Sequence, residues 1–73
     1  MTEAIVLGER VKIFLESKFW NSAGWVEGTV VRIDPYSRHR RFYWVELDQE
    51  VQSTQGDYSR LISVFNPKNL MKI

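Results

Sequence analysis

The residues best suited to chemistry lie in one short stretch, 36–44, which combines cations with aromatic rings. Three arginines, one histidine and four aromatic residues fall within it, and no acidic residue separates them. Arginine binds phosphate and carboxylate groups bidentately, and aromatic rings stack on bases or pack on a partner's side chains. The stretch therefore predicts a surface that recognises an anionic, partly apolar ligand. The residues expected to contact that ligand are Tyr36, Arg38, His39, Arg40, Arg41 and Phe42, with Trp20 from an earlier loop.

No comparable grouping indicates catalysis or metal binding. His39 is the only histidine and lies between arginines, so no second metal ligand or orienting group accompanies it. The chain has no cysteine, which excludes a thiolate metal site and a disulfide framework. Neither a phosphate-binding glycine loop nor a serine-nucleophile motif occurs. We therefore expect a protein that is not an enzyme and has no catalytic residue, cofactor or metal.

A net charge near zero conceals an uneven distribution of charge along the chain. The 73 residues include ten basic and nine acidic side chains, a net charge of +1, which argues against a general polyanion binder. Segment 46–57 nevertheless holds four acidic residues and no lysine or arginine, and it follows the basic stretch directly. This proximity in sequence predicts a basic hairpin beside an acidic loop.

Three interpretations of the basic stretch remain open from the residues alone. In the simplest, the arginines form a solvated hairpin tip that pairs weakly with the acidic loop, and the aromatic residues belong to the core. In the second, the stretch docks an acidic protein surface, and the chain is a non-catalytic adaptor module. In the third, the same residues bind nucleic acid. We take docking as the working hypothesis and nucleic-acid binding as the alternative; the oligomeric state stays open.

Short strands separated by turns must position this stretch. Apolar and polar residues alternate along 10–15, as in a strand with one buried face, and a further strand is expected over 41–47. Segment 16–23 has no period and is expected to be a loop, and 48–57 is so polar that we expect an exposed, mobile loop. A fourth strand over 58–65, a single 3₁₀ turn at 66–70 that begins with Pro67, and a last strand over 71–73 complete the chain.

The strand over 24–34 is the one around which the others are organised. Alternation fails within it, because Val30, Val31 and Ile33 are all apolar, and we therefore predict a β-bulge near Val31-Arg32. A bent strand of this kind can serve both halves of a barrel, and closure removes the edges that a small sheet cannot protect. The expected fold is all-β: a five-stranded SH3-like barrel with one 3₁₀ turn before the last strand, formed by residues 1–73 as a single domain.

The start of the chain lacks the features of a targeting or membrane segment. Met1–Ala4 contains an acidic residue and no basic one, and the apolar run Ile5–Leu7 is far too short to span a bilayer. The absence of cysteine suits a reducing compartment. We expect a soluble, cytoplasmic protein without membrane insertion.

Three segments resemble the photosystem I subunit PsaE family of small SH3-like proteins. They are Gly8-Glu9-Arg10-Val11-Lys12-Ile13, Glu16-Ser17-Lys18-Phe19-Trp20-Asn21 and Gly28-Thr29-Val30-Val31-Arg32-Ile33-Asp34. The resemblance covers the first half of the chain and continues loosely through Tyr43-Trp44-Val45, whereas the family's closing Asn-Asn-Phe tract is absent here. It implies an SH3-like fold and an acidic partner that belongs to a photosynthetic electron-transfer assembly.

Overall fold

The computed structural model describes residues 5–73, apart from the side chain of Pro67, so the expectation for Met1–Ala4 lies outside the described residues. Five strands form one antiparallel sheet, and a 3₁₀ turn precedes the last of them. The elements are β1 (Arg10–Leu15), β2 (Gly24–Pro35), β3 (Arg41–Gln52), β4 (Tyr58–Val64), the 3₁₀ turn (Pro67–Asn69) and β5 (Leu70–Lys72). The strand order is β4-β3-β2-β1-β5. The all-β prediction is confirmed, and the 3₁₀ turn begins at Pro67 as expected.

The inner face of the sheet forms one apolar core. Alternate residues of β1 point inward, and Val11, Ile13 and Leu15 are exposed by 2% or less. Removing each such side chain from water stabilises the fold by roughly 1.5–3 kcal/mol, which is what holds so small a domain together. The full core comprises Val11, Ile13, Leu15, Val30, Val45, Leu47, Val51, Val64 and Leu70.

β2 bends at the predicted place. Its register with β3 shifts between Val30 and Arg32, so Val31 is an extra residue and is 46% exposed. The extra residue turns the strand, and both Val30 and Ile33 consequently pack into the core. The predicted bulge near Val31-Arg32 is confirmed.

β3 continues beyond the predicted strand end to Gln52, so the prediction of a loop throughout 48–57 is wrong in its first part. Val51 is only 5% exposed, and its burial holds the end of β3 against the core. Polar residues surround Val51 in sequence, so the pattern of residues gives no sign of this single inward position. The turn after β3 is then short, because the Asp57 carbonyl oxygen accepts from the Ser53 N–H at 2.8 Å.

A large bulge bends β3 on its way to that end. Its register with β4 slips between Glu46 and Val51, so that four residues of β3 lie opposite Arg60 alone. The Arg60 guanidinium donates to the carbonyl oxygens of Leu47 and Asp48, both at 3.2 Å. Arg60 therefore supplies donors to a part of β3 where the regular β3–β4 ladder is interrupted.

The loop between β1 and β2 attaches to the same end of β3. The Asn21 N–H donates to the Gln52 carbonyl oxygen at 2.9 Å, and Trp20 and Ser53 form an isolated antiparallel bridge. β4 and β5 remain the two edges of the sheet, with no ladder between them in residues 5–73. No helix in this range is long and apolar enough to cross a membrane.

Candidate protein-docking surface

The loop between β2 and β3 presents the arginines of the basic stretch. The backbone N–H groups of Tyr36 and Ser37 both donate to the Arg40 carbonyl oxygen, at 2.9 and 3.1 Å. The His39 N–H donates to the Ser37 hydroxyl at 3.4 Å. These hydrogen bonds close a tight loop, and the side chains of Arg38, His39 and Arg40 are exposed on it.

Three aromatic rings meet at the base of this loop. Tyr36 contacts Phe42 edge-on, with ring centroids 5.4 Å apart, and contacts Phe65 in the same way at 5.0 Å. Phe42 precedes Tyr43 and Phe65 follows Val64, the last pair of the β3–β4 ladder, and the centroids of the two phenylalanine rings are 4.9 Å apart. We call these rings and the neighbouring basic residues the hairpin patch: Tyr36, Arg38, His39, Arg40, Arg41, Phe42 and Phe65.

The arginines of the hairpin patch have no acidic partner in the described part of the chain. None of Arg38, Arg40 and Arg41 forms an ion pair with any residue between 5 and 73. Arg40 lies over the Phe65 ring, 5.3 Å from its centroid, and this contact leaves its hydrogen-bond donors unused. Tyr36 is 63% exposed, so an apolar surface stands beside the unpaired guanidinium groups.

Asp34, the acidic residue at the end of β2, does not neutralise these arginines. One carboxylate oxygen accepts from Arg32 Nε at 2.9 Å, and the other accepts from Trp44 Nε1 at 3.0 Å. The hydrogen bond from Arg32, aided by that from Trp44 and opposed by desolvation, lowers the pKa of Asp34 below its ordinary value. The carboxylate is held by partners on β2 and β3 and forms no ion pair with the loop arginines.

The acidic segment lies elsewhere, so the expected pairing of a basic hairpin with an acidic loop is wrong. Arg41 begins β3, whereas Asp48 lies near the other end of this strand. Asp48 accepts two hydrogen bonds from Arg10, at 2.6 and 2.8 Å. The hydrogen bond from Arg10 lowers the pKa of Asp48. Asp48 therefore helps to hold β1 against β3 and is not available to shield the hairpin patch.

Trp20 is the one expected contact residue outside the hairpin patch. Its backbone pairs with Ser53, beyond the end of β3 opposite Arg41, and its half-buried side chain packs against the core. Phe65, which sequence reasoning did not select, joins the patch instead. The pairing of the predicted strands 41–47 and 58–65 was the signal that could have found it.

Neither a metal site in the described residues nor a known relative indicates a function for this protein. Within residues 5–73 no group of three or more His, Cys, Asp or Glu side chains could hold a metal ion. Comparison with known proteins found no matching protein family, no matching curated protein and no matching solved structure. The geometry and charge of the hairpin patch are therefore the basis for a functional proposal.

Proposed function

We propose that the protein is a non-catalytic adaptor module that docks an acidic protein surface through the hairpin patch. The observation that carries the proposal is that three arginines without an acidic partner lie beside a three-ring aromatic cluster, where the β2–β3 loop meets the start of β3 and the end of β4. Arginine forks bind surface carboxylates and steer the encounter with an acidic partner. Tyr36, Phe42 and Phe65 supply rigid apolar area at a low cost in conformational entropy.

The distribution of charge favours an acidic protein over a nucleic acid as the partner. A long polyanion is best held by an extended basic surface, and the net charge of this chain is only +1. A compact acidic surface with an apolar centre matches both the size and the chemistry of the hairpin patch.

The proposed architecture is an SH3-like barrel in the cytoplasm. The bent β2, the pairing of β5 with β1 and the 3₁₀ turn before β5 support this architecture. The absence of cysteine supports the location. The resemblance of the first half of the chain to the PsaE family supports a partner within a photosynthetic electron-transfer assembly.

The proposal is tested by NMR titration of the ¹⁵N-labelled chain with a synthetic peptide of alternating glutamate and phenylalanine residues at low salt. We expect amide shifts concentrated at the hairpin patch. Substitution R38A/R40A/R41A should weaken the affinity at least about tenfold, because it removes the three unpaired cations. The matched control K18A removes an exposed cation outside the patch and should leave the affinity unchanged.

A single-stranded oligonucleotide, titrated in parallel, separates the two ligand classes. Oligonucleotide binding that falls steeply with salt and loses slope with each arginine removed, without peptide binding, would replace docking by nucleic-acid recognition. If neither probe shifts the hairpin amides, the proposed function is wrong.

A further inference from the structure

A second aromatic surface lies on the outer face of β1 and β2, on residues that the hairpin patch does not use. Phe14 and Trp25 are directly opposite each other in the β1–β2 ladder, and their rings pack edge-on with centroids 5.4 Å apart. Because the inner face of β1 is occupied by core residues, these two rings point outward and remain 39% and 45% exposed. Lys12 Nζ lies 5.2 Å from the centroid of the Trp25 ring.

The exposed apolar surface extends beyond this pair of rings. Met71 on β5 is opposite Lys12 in the ladder and is 48% exposed. On the other side, Phe14 lines a shallow groove of about 320 Å³. We call this surface the outer-face patch: Lys12, Phe14, Trp25, Glu27 and Met71. Large apolar side chains grouped on a solvent-exposed sheet face are typical of an interaction site.

We propose that the outer-face patch is the interface of a two-fold homodimer. A two-fold interface brings a surface against itself, so its charges must be complementary to themselves. Lys12 and Glu27 face each other across β1 and β2, in the outward-facing pair next to Phe14 and Trp25, which gives this patch one cation and one anion. A two-fold axis that runs parallel to the strands, between β1 and β2, brings Lys12 of one copy towards Glu27 of the other.

The distribution of charge favours a second copy of the chain as the binding partner. A surface that binds a partner of one charge carries mainly the opposite charge, as the hairpin patch does. The outer-face patch instead carries one cation and one anion beside an aromatic pair. Glu27 also approaches Arg10, at 3.6 Å, but its side chain is 62% exposed, and it remains accessible to a cation from another molecule.

The inference is independent of the proposed function, because the two patches share no residue. In a dimer the hairpin patches of both copies would remain free. Two such patches on one particle would strengthen attachment to a partner that offers repeated acidic sites.

Sedimentation equilibrium across a micromolar to millimolar concentration series tests the dimer. We expect concentration-dependent dimerisation of the wild-type chain, and W25S should weaken it at least about tenfold, because large aromatic residues dominate interface energies. The matched control L61S removes another exposed apolar residue, 51% exposed on β4, and should leave dimerisation unchanged. A wild-type chain that is monomeric at millimolar concentration would overturn the inference without affecting the hairpin patch.

Charge reversal at Lys12 and Glu27 separates a role in the interface from a role in folding, since Trp25 also supports its own sheet. K12E and E27K should each fail to dimerise alone, because every intermolecular pair becomes repulsive. An equimolar mixture of the two variants should form the heterodimer, in which both pairs are again opposite in charge. Dimers that persist in both single variants, or a mixture that stays monomeric, would contradict the proposed interface.

Discussion

The arginines near the two ends of β3 differ in whether their guanidinium groups are bound within the fold. At the hairpin end, Arg38 and Arg40 carry exposed guanidinium groups that pair with no acidic group in the described part of the chain. At the other end, Arg10 binds the Asp48 carboxylate, and Arg60 binds two backbone carbonyl oxygens. The difference shows that a count of arginines does not predict a binding surface. What matters is whether the donors of each guanidinium are already used within the fold.

The physical reason lies in the backbone at each end. The hairpin loop closes with its own backbone hydrogen bonds and needs no side-chain donor. The bend of β3, by contrast, interrupts the β3–β4 ladder opposite Arg60. A guanidinium group has five donors in a fixed plane, and it can satisfy two carbonyl oxygens at once. We call this bend, with Arg10, Gly28, Asp48 and Arg60 around it, the corner.

The largest effect is expected from G28A in the corner. Gly28 is buried, and a Cβ at this position would lie 2.5 Å from the backbone carbonyl oxygen of Glu46. Because backbone atoms cannot give way cheaply, we expect the free energy of unfolding to fall by about 3 kcal/mol in a urea titration. The comparison change at the hairpin end, H39A, removes only an exposed side chain and should alter it by no more than about 0.5 kcal/mol. Equal stability of both variants would contradict the close approach of β2 and β3.

A smaller effect is expected from R60M, which tests the structural use of arginine directly. The carbonyl oxygens of Leu47 and Asp48 lose their side-chain donor, and the free energy of unfolding should fall by roughly 1–2 kcal/mol. The same change at the hairpin, R38M, should shift it by no more than about 0.5 kcal/mol. Amide exchange should accelerate around Asp48 in R60M only. Similar losses in the two variants would abolish the distinction between the two ends.

The smallest effect is a pH dependence at the corner. The hydrogen bond from Arg10 lowers the pKa of Asp48 below its ordinary 3.8, so the folded state holds this proton less tightly than the unfolded state. The resulting stabilisation is present above 3.8 and is lost as the pH falls through the lower folded-state value. D48N should therefore show a shallower acid decline than the wild type in urea titrations at successive pH values. An unchanged acid profile in D48N would exclude this contribution.

Local patterns predicted much of the sheet. Alternation placed the inner residues of β1, and the failure of alternation at Val30-Val31 located the bulge of β2. The end of β3 could not be predicted in the same way, because Val51 is its only buried residue after Leu47 and lies four positions away. The intermediate position that the alternation would place inward, Gln49, is polar and exposed, so the pattern ends before Val51 is reached.

The candidate site, like the sheet, could be predicted only in part from the sequence. Its loop residues follow from composition, because cations and aromatic rings crowd one short stretch. Phe65 joins the hairpin patch only because β4 pairs with β3. The hydrogen bond from Trp44 to Asp34 likewise joins residues ten positions apart on paired strands. Trp20 looked equivalent to the loop aromatics in sequence but packs half-buried at the other end of β3.

By itself the sequence determined which residues face inward along a regular strand and where cations meet aromatic rings. Only the tertiary structure decided which of those cations are free. Arg10 and Asp48 are 38 positions apart, and they meet because two strand registers and the β3 bend bring them together. Those registers depend on packing across strands, which no local pattern of residues encodes. Sequence neighbours, such as the basic loop and the acidic segment, are separated because the loop precedes β3, whereas Asp48 and Glu50 lie in the second half of this strand.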